Sequence, residues 1–360
     1  MTDHTPKRWF GSLRRTTFAR AIRGSNSIEG YHATLDQAVA AVENEPPLDE
    51  RTETWMAITG YRNALTYIMQ AVADPYFEFS KQYLKSLHFM MLGHDMSKSP
   101  GQWRSGPIYV VQDPSGETVY MGPGPDHVDG LVTELVAALK ETSLPPIVRA
   151  AMAHLNLTMI HPFRDGNGRM ARAPQTMVLA QDGRLHPVFC SIEEWLGANT
   201  GSYYAVLAET GRGEWRPEGD ASAWLRFCLR AHYQQVATLM RRNAEYEVLF
   251  DRVAEVTRRL RAPDRGLMPL FDAALGLRIT NARYRADAEV SELLASRDLK
   301  RLADTGLLAP HGEKRGRFYL AGPEISGLHA AVRQGGRPED PYAVMARTQE
   351  ARDNPSLPGL

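Results

Sequence analysis

The sequence predicts a mainly α-helical protein with one small β-hairpin, followed by a second, smaller domain. Most of the chain spaces its apolar residues three and four positions apart, as one buried face of a helix requires. Between residues 101 and 125 this spacing gives way to two β-rich runs around Asp113-Pro114-Ser115-Gly116, which is typical of a hairpin. A Pro- and Gly-containing break at residues 261–266 separates the second domain.

The helical pattern is clearest on both sides of the hairpin. Pro145 and Pro146 open one of these helices, because proline is tolerated where the first N–H groups have no partner. An isolated hairpin is marginally stable, so we expect it to lie on the helices. The predicted helices span residues 81–92, 127–140, 145–160, 167–181, 199–209, 220–240 and 243–262.

Five consecutive parts are expected along the 360 residues. They are an N-terminal helical region (1–75), a helical core (76–240), a linker helix (241–264), a compact domain (265–325) and a disordered tail (326–360). Disorder is expected in the tail because glycine, proline and charged residues dominate it.

Composition excludes several classes of protein. The 42 basic and 42 acidic residues cancel, so no overall charge draws the chain to nucleic acid or to a membrane. No run approaches the ~18 apolar residues of a membrane helix, and the N-terminus has no secretory pattern. Cys190 and Cys228 are too few and too far apart for a disulfide framework, which fits a cytoplasmic location.

The segment His161–Arg172 carries the strongest chemical signal, with the order His-Pro-Phe-Arg-Asp-Gly-Asn-Gly-Arg-Met-Ala-Arg. Pro162 ends one helix, and a second helix starts near Asn167 with its free N–H groups directed at the turn. Arg169 and Arg172 are three positions apart and share one face of that helix. Helix N–H groups and two arginines on one side are suited to hold a polyphosphate.

Two side chains in this turn add reactive chemistry. His161 lies at the rim and can accept a proton at neutral pH. Asp165 offers one hard oxygen, and Mg²⁺ needs only one or two carboxylates when phosphates and waters supply its other ligands. Together these residues predict the transfer of a phosphorus-centred group.

Taken singly, some of these residues and the nearby His154 also allow other interpretations. A calcium loop starting at Asp165 requires glycine where Met170 stands. His154 has no Glu or Cys at ligand spacing, so we interpret it as a core histidine. Arg169 and Arg172 alone would describe a solvated helix face. Only the combination distinguishes the segment from these alternatives.

At every fixed position, His161–Arg172 resembles the signature of the Fic family, H-P-F-x-D-G-N-G-R-x-x-R. The likeness extends over roughly residues 80–235 and implies a helical Fic core, with Trp224 to Phe227 in its last helix. It implies a protein adenylyltransferase that moves AMP from ATP, with Mg²⁺, to a Tyr, Thr or Ser hydroxyl of a target protein. Gly168 favours this activity over that of the phosphotransferase branch, which has lysine there.

The resemblance also implies roles for individual residues. His161 would deprotonate the target hydroxyl, Asp165 would bind the metal, and Arg169 and Arg172 would hold the outer phosphates. Nucleotide contacts are further implied for Gly166, Asn167, Gly168, Tyr203 and Tyr204, the two tyrosines at the adenine. Pro174 departs from the pattern, and a kink there would shift Arg172.

Two further segments resemble regulatory or binding elements of the family. After Gly101–Arg104, the run Ile108, Tyr109, Val110 and Val111 resembles the flap that aligns the target by strand pairing. Ser25–Gly30 resembles the inhibitory motif, in which Ser25 and Glu29 share a helix face and Glu29 would pair with Arg172 in place of the γ-phosphate of ATP. An ordinary surface helix is the alternative for this segment.

Residues 267–322 resemble a winged helix. Residues 289–294 would form the segment leading into the recognition helix, residues 296–302 would be that helix, and residues 311–320 would be the wing. From Arg278 to Arg317 there are nine basic and six acidic residues, a weak excess for a nucleic-acid domain. Contact with DNA and docking to a protein, including a second copy of the chain, remain equally open.

Three alternative functions are compatible with the sequence, and two of them use the same residues. The site would also suit removal of AMP with Glu29 as base, or transfer of another nucleotidyl or phosphoryl group. From a different class, the chain would be a DNA-binding regulator with a residual site. The intact His161 and Asp165 argue against a regulator, because it needs neither residue.

Overall fold

Helices form most of the protein, together with two short antiparallel hairpins. The computed structural model describes residues 7–47, 52–112, 117–141, 143–183, 186–313, 316–336 and 338–353. The helices are α1 (Phe10–Ile28), α2 (Leu35–Val42), α3 (Glu53–Ala73), α4 (Lys81–Leu92), α5 (Val128–Lys140), α6 (Pro146–Ile160), α7 (Asn167–Gln181), α8 (Glu193–Ala198), α9 (Thr200–Gly211), α10 (Ser222–Arg259), α11 (Leu267–Ala274), α12 (Asn281–Ala288), α13 (Glu292–Asp304), α14 (Leu328–Val332) and α15 (Pro341–Asp353). The strands are β1 (Tyr109–Gln112), β2 (Glu117–Met121), β3 (Leu308–His311) and β4 (Phe318–Ala321).

The chain folds into two compact units that do not follow sequence order. The larger unit consists of Phe18–Thr34, Asp49–Gln235 and Glu339–Leu360, and the smaller unit of Met1–Thr17, Leu35–Leu48 and Val236–Pro338. This division differs from the five consecutive parts that we expected, because N-terminal segments contribute to both units. Hydrophobic periodicity identifies helices but does not identify their packing partners, so the interleaving was not predictable.

Helix α7 is the central element of the larger unit. It packs against α3, α4 and α6, and its residues are buried along nearly the whole length. A helix with neighbours on all sides is expected to be apolar all round, yet Arg169 and Arg172 are among its fully buried side chains. These two cations therefore lie inside the unit and not on a solvated face.

The predicted helix pattern is confirmed with one notable difference. Helices α4 and α7 have the predicted bounds, and α5, α6 and α9 differ from them by one or two residues. The predicted helices 220–240 and 243–262, with a linker helix at 241–264, are instead the single helix α10. Arg241 and Arg242 stand at the expected break, and arginine favours the helix and does not end it.

The hairpin lies on the helices of the larger unit, as expected. Strand β1 pairs antiparallel with β2, with a register shift between Val110 and Val111. The Tyr120 hydroxyl donates to the Met159 carbonyl at 2.8 Å, which anchors β2 to α6. The predicted turn at residues 113–116 lies outside the described residues.

Helices α11 to α13 and the β3–β4 hairpin form the C-terminal part of the smaller unit, so three helices and a hairpin occur as predicted. The details differ, because the proposed recognition helix 296–302 is only the middle of α13. The helix before it is α12, and residues 289–294 form the connection and first turn of α13. DNA binding by this part stays a prediction.

Residues 267–322 form buried ion pairs with the N-terminal segment around α2. Arg278 pairs with Asp36 at 3.3 Å, and Arg283 pairs with Glu45 at 3.1 Å, with both guanidinium groups buried. A buried arginine that loses its carboxylate is strongly destabilising. The C-terminal helices therefore depend on the segment around α2.

The C-terminal tail is helical where we predicted disorder. Helix α15 follows Asp340, which pairs with Arg230 of α10 at 3.1 Å. The Tyr342 hydroxyl donates to the Arg226 carbonyl at 2.9 Å. These contacts supply the partners that the composition of the tail alone does not reveal. Residues 354–360 lie outside the described part.

Across the described residues, no helix combines the length and the apolar character that crossing a membrane demands.

Close packing of α3 on α4 gives a stability prediction. A β-carbon at Gly60 in α3 would lie 2.5 Å from the Met91 carbonyl oxygen. We expect Gly60→Ala to lower the free energy of unfolding by about 1–3 kcal/mol, because the two helices must separate. Gly130→Ala in α5 is the matched control, since a β-carbon there meets nothing within 4 Å. Urea denaturation followed by circular dichroism checks this, and equal midpoints for the two variants would contradict it.

Candidate active site

The loop between α6 and α7 begins with a sharp turn at His161. Its backbone is left-handed, with φ of 51°, and its N–H donates to the Leu157 carbonyl as a helix C-cap. Such a conformation is unfavourable for a non-glycine residue by about 1–2 kcal/mol. Pro162 follows, and it disfavours continuation of α6. The turn directs the imidazole out of the helix end.

Asn167 closes the loop. Its side-chain oxygen accepts from the Phe163 N–H at 2.9 Å, and its amide donates to the Phe163 carbonyl at 2.9 Å. Gly166 has φ of +75°, and a β-carbon there would lie 2.6 Å from the Leu92 side chain. The side chain of Asn167 therefore shapes the loop, which leaves its backbone N–H to face an anion.

His88 supports the loop from α4. Its Nδ1 accepts from the Gly101 N–H at 2.8 Å, so Nε2 carries the proton and donates to the Asp165 carbonyl at 2.9 Å. The ring stacks on Phe163 with centroids 3.7 Å apart. Burial lowers the pKa of His88 to about 4, so this histidine is a neutral support.

The His161 ring is oriented to act as a base. Its Nδ1 lies 3.0 Å from the Thr158 carbonyl; a carbonyl only accepts, so Nδ1 carries the proton and Nε2 keeps its lone pair. Burial lowers the pKa of His161, the Thr158 contact opposes that shift, and the charge of Arg104 adds to it. The imidazole is neutral at pH 7 with Nε2 free to accept a proton.

Arg104 holds the backbone of His161 in place. Its Nε donates to the His161 carbonyl at 2.8 Å, and its Nη1 donates to the Gly106 carbonyl at 2.8 Å. Its Nη2 donates to the Pro123 carbonyl just after β2. One buried guanidinium thus joins the catalytic loop to both ends of the hairpin.

Asp165 is half-exposed and has two different environments. Its Oδ1 accepts from the Gly166 N–H at 2.6 Å, and its Oδ2 lies 3.0 Å from Lys98 Nζ. Burial alone would raise the pKa of Asp165, but the Lys98 and Gly166 contacts lower it below its usual range. The group is therefore an anion that presents Oδ2 to a cation, which in this structure is the Lys98 ammonium.

The carboxylate fits a magnesium ion that arrives with a nucleotide. Among the described residues, no three His, Cys, Asp or Glu side chains cluster as a metal site. A metal at Asp165 would therefore depend on phosphate oxygens and waters for its other ligands, which is the habit of Mg²⁺.

Arg172 is the best-supported cation of the site. Its Nε donates to the Ser25 hydroxyl at 2.8 Å and its Nη2 to the Ser25 carbonyl at 3.0 Å. Its Nη2 also donates to Glu29 Oε1 at 2.6 Å. Ser25 belongs to α1, whereas Glu29 lies in the turn after it, and both still reach Arg172. Helix α7 is continuous past Pro174, and this arginine keeps its predicted partner, Glu29.

Glu29 lies in the cradle of the helix N-terminus. A β-carbon at Gly168 would be 2.4 Å from Glu29 Oε1 and 3.1 Å from Arg172 Nη1. The carboxylate therefore rests on the bare α-carbon of the first turn of α7, where N–H groups have no helical acceptor. Any side chain at position 168 would displace it.

Arg169 is buried with two of its donors unpaired within the described part of the chain. Its side chain is 1% exposed, and its Nε and Nη1 atoms have no hydrogen-bond partner among the described residues. The Tyr31 ring lies 5.3 Å from its guanidinium carbon. A buried donor left unpaired costs about 1–3 kcal/mol, more when charged, so this group is arranged for an anion that enters from outside.

A backbone contact holds the end of α1 in place. A β-carbon at Gly24 would lie 2.3 Å from the Glu193 carbonyl oxygen, and one at Gly197 would lie 2.8 Å from the Gly24 α-carbon. The Tyr204 hydroxyl adds a hydrogen bond of 3.2 Å to the Ile28 carbonyl. The segment with Ser25 and Glu29 is thus clamped against α8 and α9.

The comparisons with known proteins agree with this geometry. Residues 78–179 match the Fic/DOC family. Ser25 and Glu29 precede the matched residues, and both contact Arg172, which lies within the match.

Two relatives are adenylyltransferases by name. Protein adenylyltransferase Fic of Nematostella vectensis is 24% identical over 247 residues, which cover 68% of this chain and 53% of that protein. The protein of the same name from Drosophila mojavensis is 29% identical over 208 residues, covering 57% of this chain and 39% of the relative. The chain therefore matches about half or less of the length of these relatives.

Solved structures show the same fold. A Fic family protein from Desulfovibrio desulfuricans G20 has a TM-score of 0.54 at 21% identity, covering 91% of this chain and 89% of that one. Fic-1 (residues 134–508) from Caenorhabditis elegans has a TM-score of 0.51 at 23% identity, covering 66% of each chain. At these identities the likeness establishes the mainly helical fold.

The two tyrosines predicted at the adenine have different environments beside the Fic domain. Tyr203 is 1% exposed and Tyr204 is 49% exposed. The Tyr203 hydroxyl is held by His154 at 2.9 Å, and its ring packs near Trp224. Of the pair, only Tyr204 has an accessible ring. His154 is the buried histidine that the sequence predicted.

The flap residues alternate in exposure. Tyr109 is exposed, whereas Ile108 and Val110 are partly buried, with Val110 against the core of the larger unit. The Val111 backbone belongs to β1, but its side chain lies outside the described residues. The exposed edge of β1 remains the predicted surface for a target segment.

Several residues of the site were not predicted from the sequence. Arg104, His88, Lys98 and Tyr31 reach the catalytic loop from other elements, and none of them lies at motif spacing from it. Arg104 offered the one weak signal, because it ends the Gly-Gln-Trp-Arg segment before the hairpin.

The tautomer and burial of His161 give a spectroscopic prediction. We expect its imidazole to titrate below the ordinary value of about 6.5, because burial and Arg104 disfavour the charged ring. Histidine-selective ¹⁵N NMR measures this, and the His161→Ala spectrum identifies its signals among the 11 histidines. A midpoint above about 7 would contradict the proposed environment.

Proposed function

We propose that this protein is an adenylyltransferase that moves AMP from ATP to a Ser, Thr or Tyr hydroxyl of a target protein. One observation carries the proposal: the buried Arg169, whose Nε and Nη1 have no hydrogen-bond partner among the described residues, lies on the same helix N-terminus whose loop presents the free Nε2 of His161. A cation, unpaired N–H groups and a neutral base around one turn suit phosphoryl-centred chemistry. The names of the relatives support the choice of AMP.

The transfer follows from the arrangement of these groups. The target hydroxyl gives its proton to Nε2 of His161 while its oxygen forms a bond to the α-phosphorus of ATP. The bond from that phosphorus to the oxygen bridging the β-phosphate breaks, so pyrophosphate leaves and AMP stays on the target. Arg169, Arg172 and the N–H groups of α7 stabilise the polyphosphate.

Asp165 is the residue that would hold Mg²⁺, through its Oδ2 oxygen. The ion, when bound, would neutralise phosphate charge and favour departure of pyrophosphate. Tyr204 would border the adenine, and the edge of β1 at Tyr109 would align the target segment by strand pairing. Gly166, Asn167 and Gly168 would contribute backbone N–H groups.

Autoinhibition by Glu29 is part of the proposal. Its carboxylate is paired with Arg172 at 2.6 Å and rests on Gly168, which is the space that an outer phosphate of ATP needs. ATP then binds only by displacing Glu29 or in a pose with a misplaced α-phosphate. Misalignment by about 1 Å can cost roughly 10²-fold in rate.

The proposal includes a cytoplasmic location and leaves one alternative activity for the site. Cys190 and Cys228 are buried free thiols, which supports the cytoplasmic location. Hydrolytic removal of AMP is the alternative for this site, and it would require Glu29 as a base instead of an inhibitor. The Glu29 variants below separate these two activities.

The base is tested by His161→Ala. We expect transfer of AMP to fall by about 10²–10⁴-fold, because alanine cannot accept the proton that Nε2 of His161 would take from the target hydroxyl. Nucleotide binding should survive, since Arg169, Arg172 and the helix N–H groups remain. Transfer is measured with labelled ATP, Mg²⁺ and cell lysate, and binding by calorimetry. A variant that transfers AMP at the wild-type rate would refute the mechanism.

The inhibitor is tested by Glu29→Ala and Glu29→Gly. We expect both to raise self-modification or target modification by about 10-fold or more, because the outer phosphate gains Arg172. Two substitutions are needed, since glycine also loosens a helix end by about 1 kcal/mol relative to alanine. Labelling with radioactive ATP measures the rate.

Glu134→Ala is the matched control, because Glu134 is an exposed glutamate of α5. If both Glu29 variants label no faster than this control, with ATP bound and the fold intact, the inhibitory role is wrong. If they instead lose hydrolysis of AMP from a modified protein, Glu29 serves as the base of the reverse activity.

A further inference from the structure

Lys98 contacts the candidate metal carboxylate from outside the signature. It lies in a short 3-10 turn, Met96–Lys98, that follows α4. Its Nζ atom is 3.0 Å from Asp165 Oδ2 and donates to the Tyr31 hydroxyl at 3.2 Å. The side chain is 21% exposed, so the ammonium is partly shielded from water.

The Lys98 contact uses the oxygen that a metal requires. Asp165 Oδ1 already accepts the Gly166 N–H at 2.6 Å, a bond that holds the loop. Oδ2 is the oxygen that no loop N–H contacts among the described residues, and the Lys98 ammonium lies directly against it. Two cations on one carboxylate oxygen repel each other, so the two occupants compete.

Lys98 also has other partners nearby. Its Nζ lies 3.8 Å from Glu53 Oε1 and 3.9 Å from Asp95 Oδ2. The Tyr31 hydroxyl accepts from Lys98 Nζ and donates to Glu53 Oε1 at 3.0 Å, so it connects Lys98 to Glu53. A shift of the flexible lysine by about one ångström would exchange Asp165 for these carboxylates without leaving the charge unpaired.

We propose that Lys98 is a resident cation that occupies the Asp165 oxygen until a divalent ion enters with the nucleotide and displaces it toward Glu53 and Asp95. The inference rests on the proposed function, because it assumes that Asp165 binds the metal. Lys98 thereby holds the Asp165 carboxylate in place in the absence of nucleotide. It also sets the divalent-ion concentration at which the site fills.

The competition predicts a gain of metal affinity when the lysine charge is removed. Lys98→Met should lower the dissociation constant for Mn²⁺ by about three- to tenfold, as expected for loss of a partly shielded ion pair and of cation repulsion. The probe is Mn²⁺ with the α,β-methylene analogue of ATP, which cannot transfer AMP. Free Mn²⁺ is measured by electron paramagnetic resonance.

Two matched variants isolate the effect. Lys98→Arg keeps the charge and should retain a dissociation constant near the wild-type value. Lys81→Met removes a lysine that pairs with Asp129 at 2.7 Å elsewhere in the larger unit, and it should change nothing. Thermal unfolding of each variant verifies that the fold is intact.

The outcomes separate this inference from the proposed function. If Lys98→Met binds Mn²⁺ as the Lys81→Met control does, or more weakly, the displacement model is wrong. Weaker analogue binding by Lys98→Met without metal would make Lys98 a phosphate ligand instead. If Asp165→Asn binds Mn²⁺ as tightly as wild type, the metal assignment in the proposed function fails, whatever Lys98 does.

Discussion

The burial of two arginines in one helix is the constraint on which the rest of the site depends. A guanidinium stays charged at every accessible pH, so its charge inside the larger unit must be met by oxygen atoms or by an arriving anion. Arg172 obtains Ser25 and Glu29 from the segment at the end of α1, whereas Nε and Nη1 of Arg169 have no hydrogen-bond partner among the described residues and its guanidinium lies over the Tyr31 ring. Nη1 of Arg172 is unpaired there as well, so both cations keep donors for an anion, and Arg169 keeps more of them.

Glu193 belongs to the surroundings of the same constraint. It lies buried behind Arg172, accepts from the Tyr61 hydroxyl at 2.5 Å, and has its pKa raised to about 7 by burial, against the opposing effects of Tyr61 and Arg172. Near neutral pH it is therefore only partly ionised. Glu193 therefore compensates the charge of Arg172 only in part. The remaining charge favours a carboxylate or phosphate on the side of Gly168, where Arg172 Nη1 lies.

Local signals in the sequence predicted more than long-range ones. The bounds of α4 and α7, the turn at His161 and the pairing of Glu29 with Arg172 follow from periodicity, Pro162 and the family resemblance, whereas the contacts of Ser25 with Arg172 were not predicted. Arg104 and Lys98 could not be predicted, because only tertiary packing brings their side chains to the loop. The burial of Tyr203 was missed for the same reason: adjacent tyrosines on a helix point in different directions. Domain boundaries failed where a buried pair, Arg278 with Asp36, joins distant segments.

The contact between Gly24 and Gly197 ties the position of Glu29 to the spacing of two main chains. Neither glycine carries charge or approaches the nucleotide cradle, yet a methyl group on either would collide with the backbone of the other helix. Substitutions at these two uncharged positions would therefore move the Glu29 carboxylate while Ser25, Glu29 and Arg172 stay unchanged. A homologue that retains every charged residue of the site but not these glycines would hold its carboxylate elsewhere. The charged residues alone would therefore not reveal where the carboxylate of such a homologue lies.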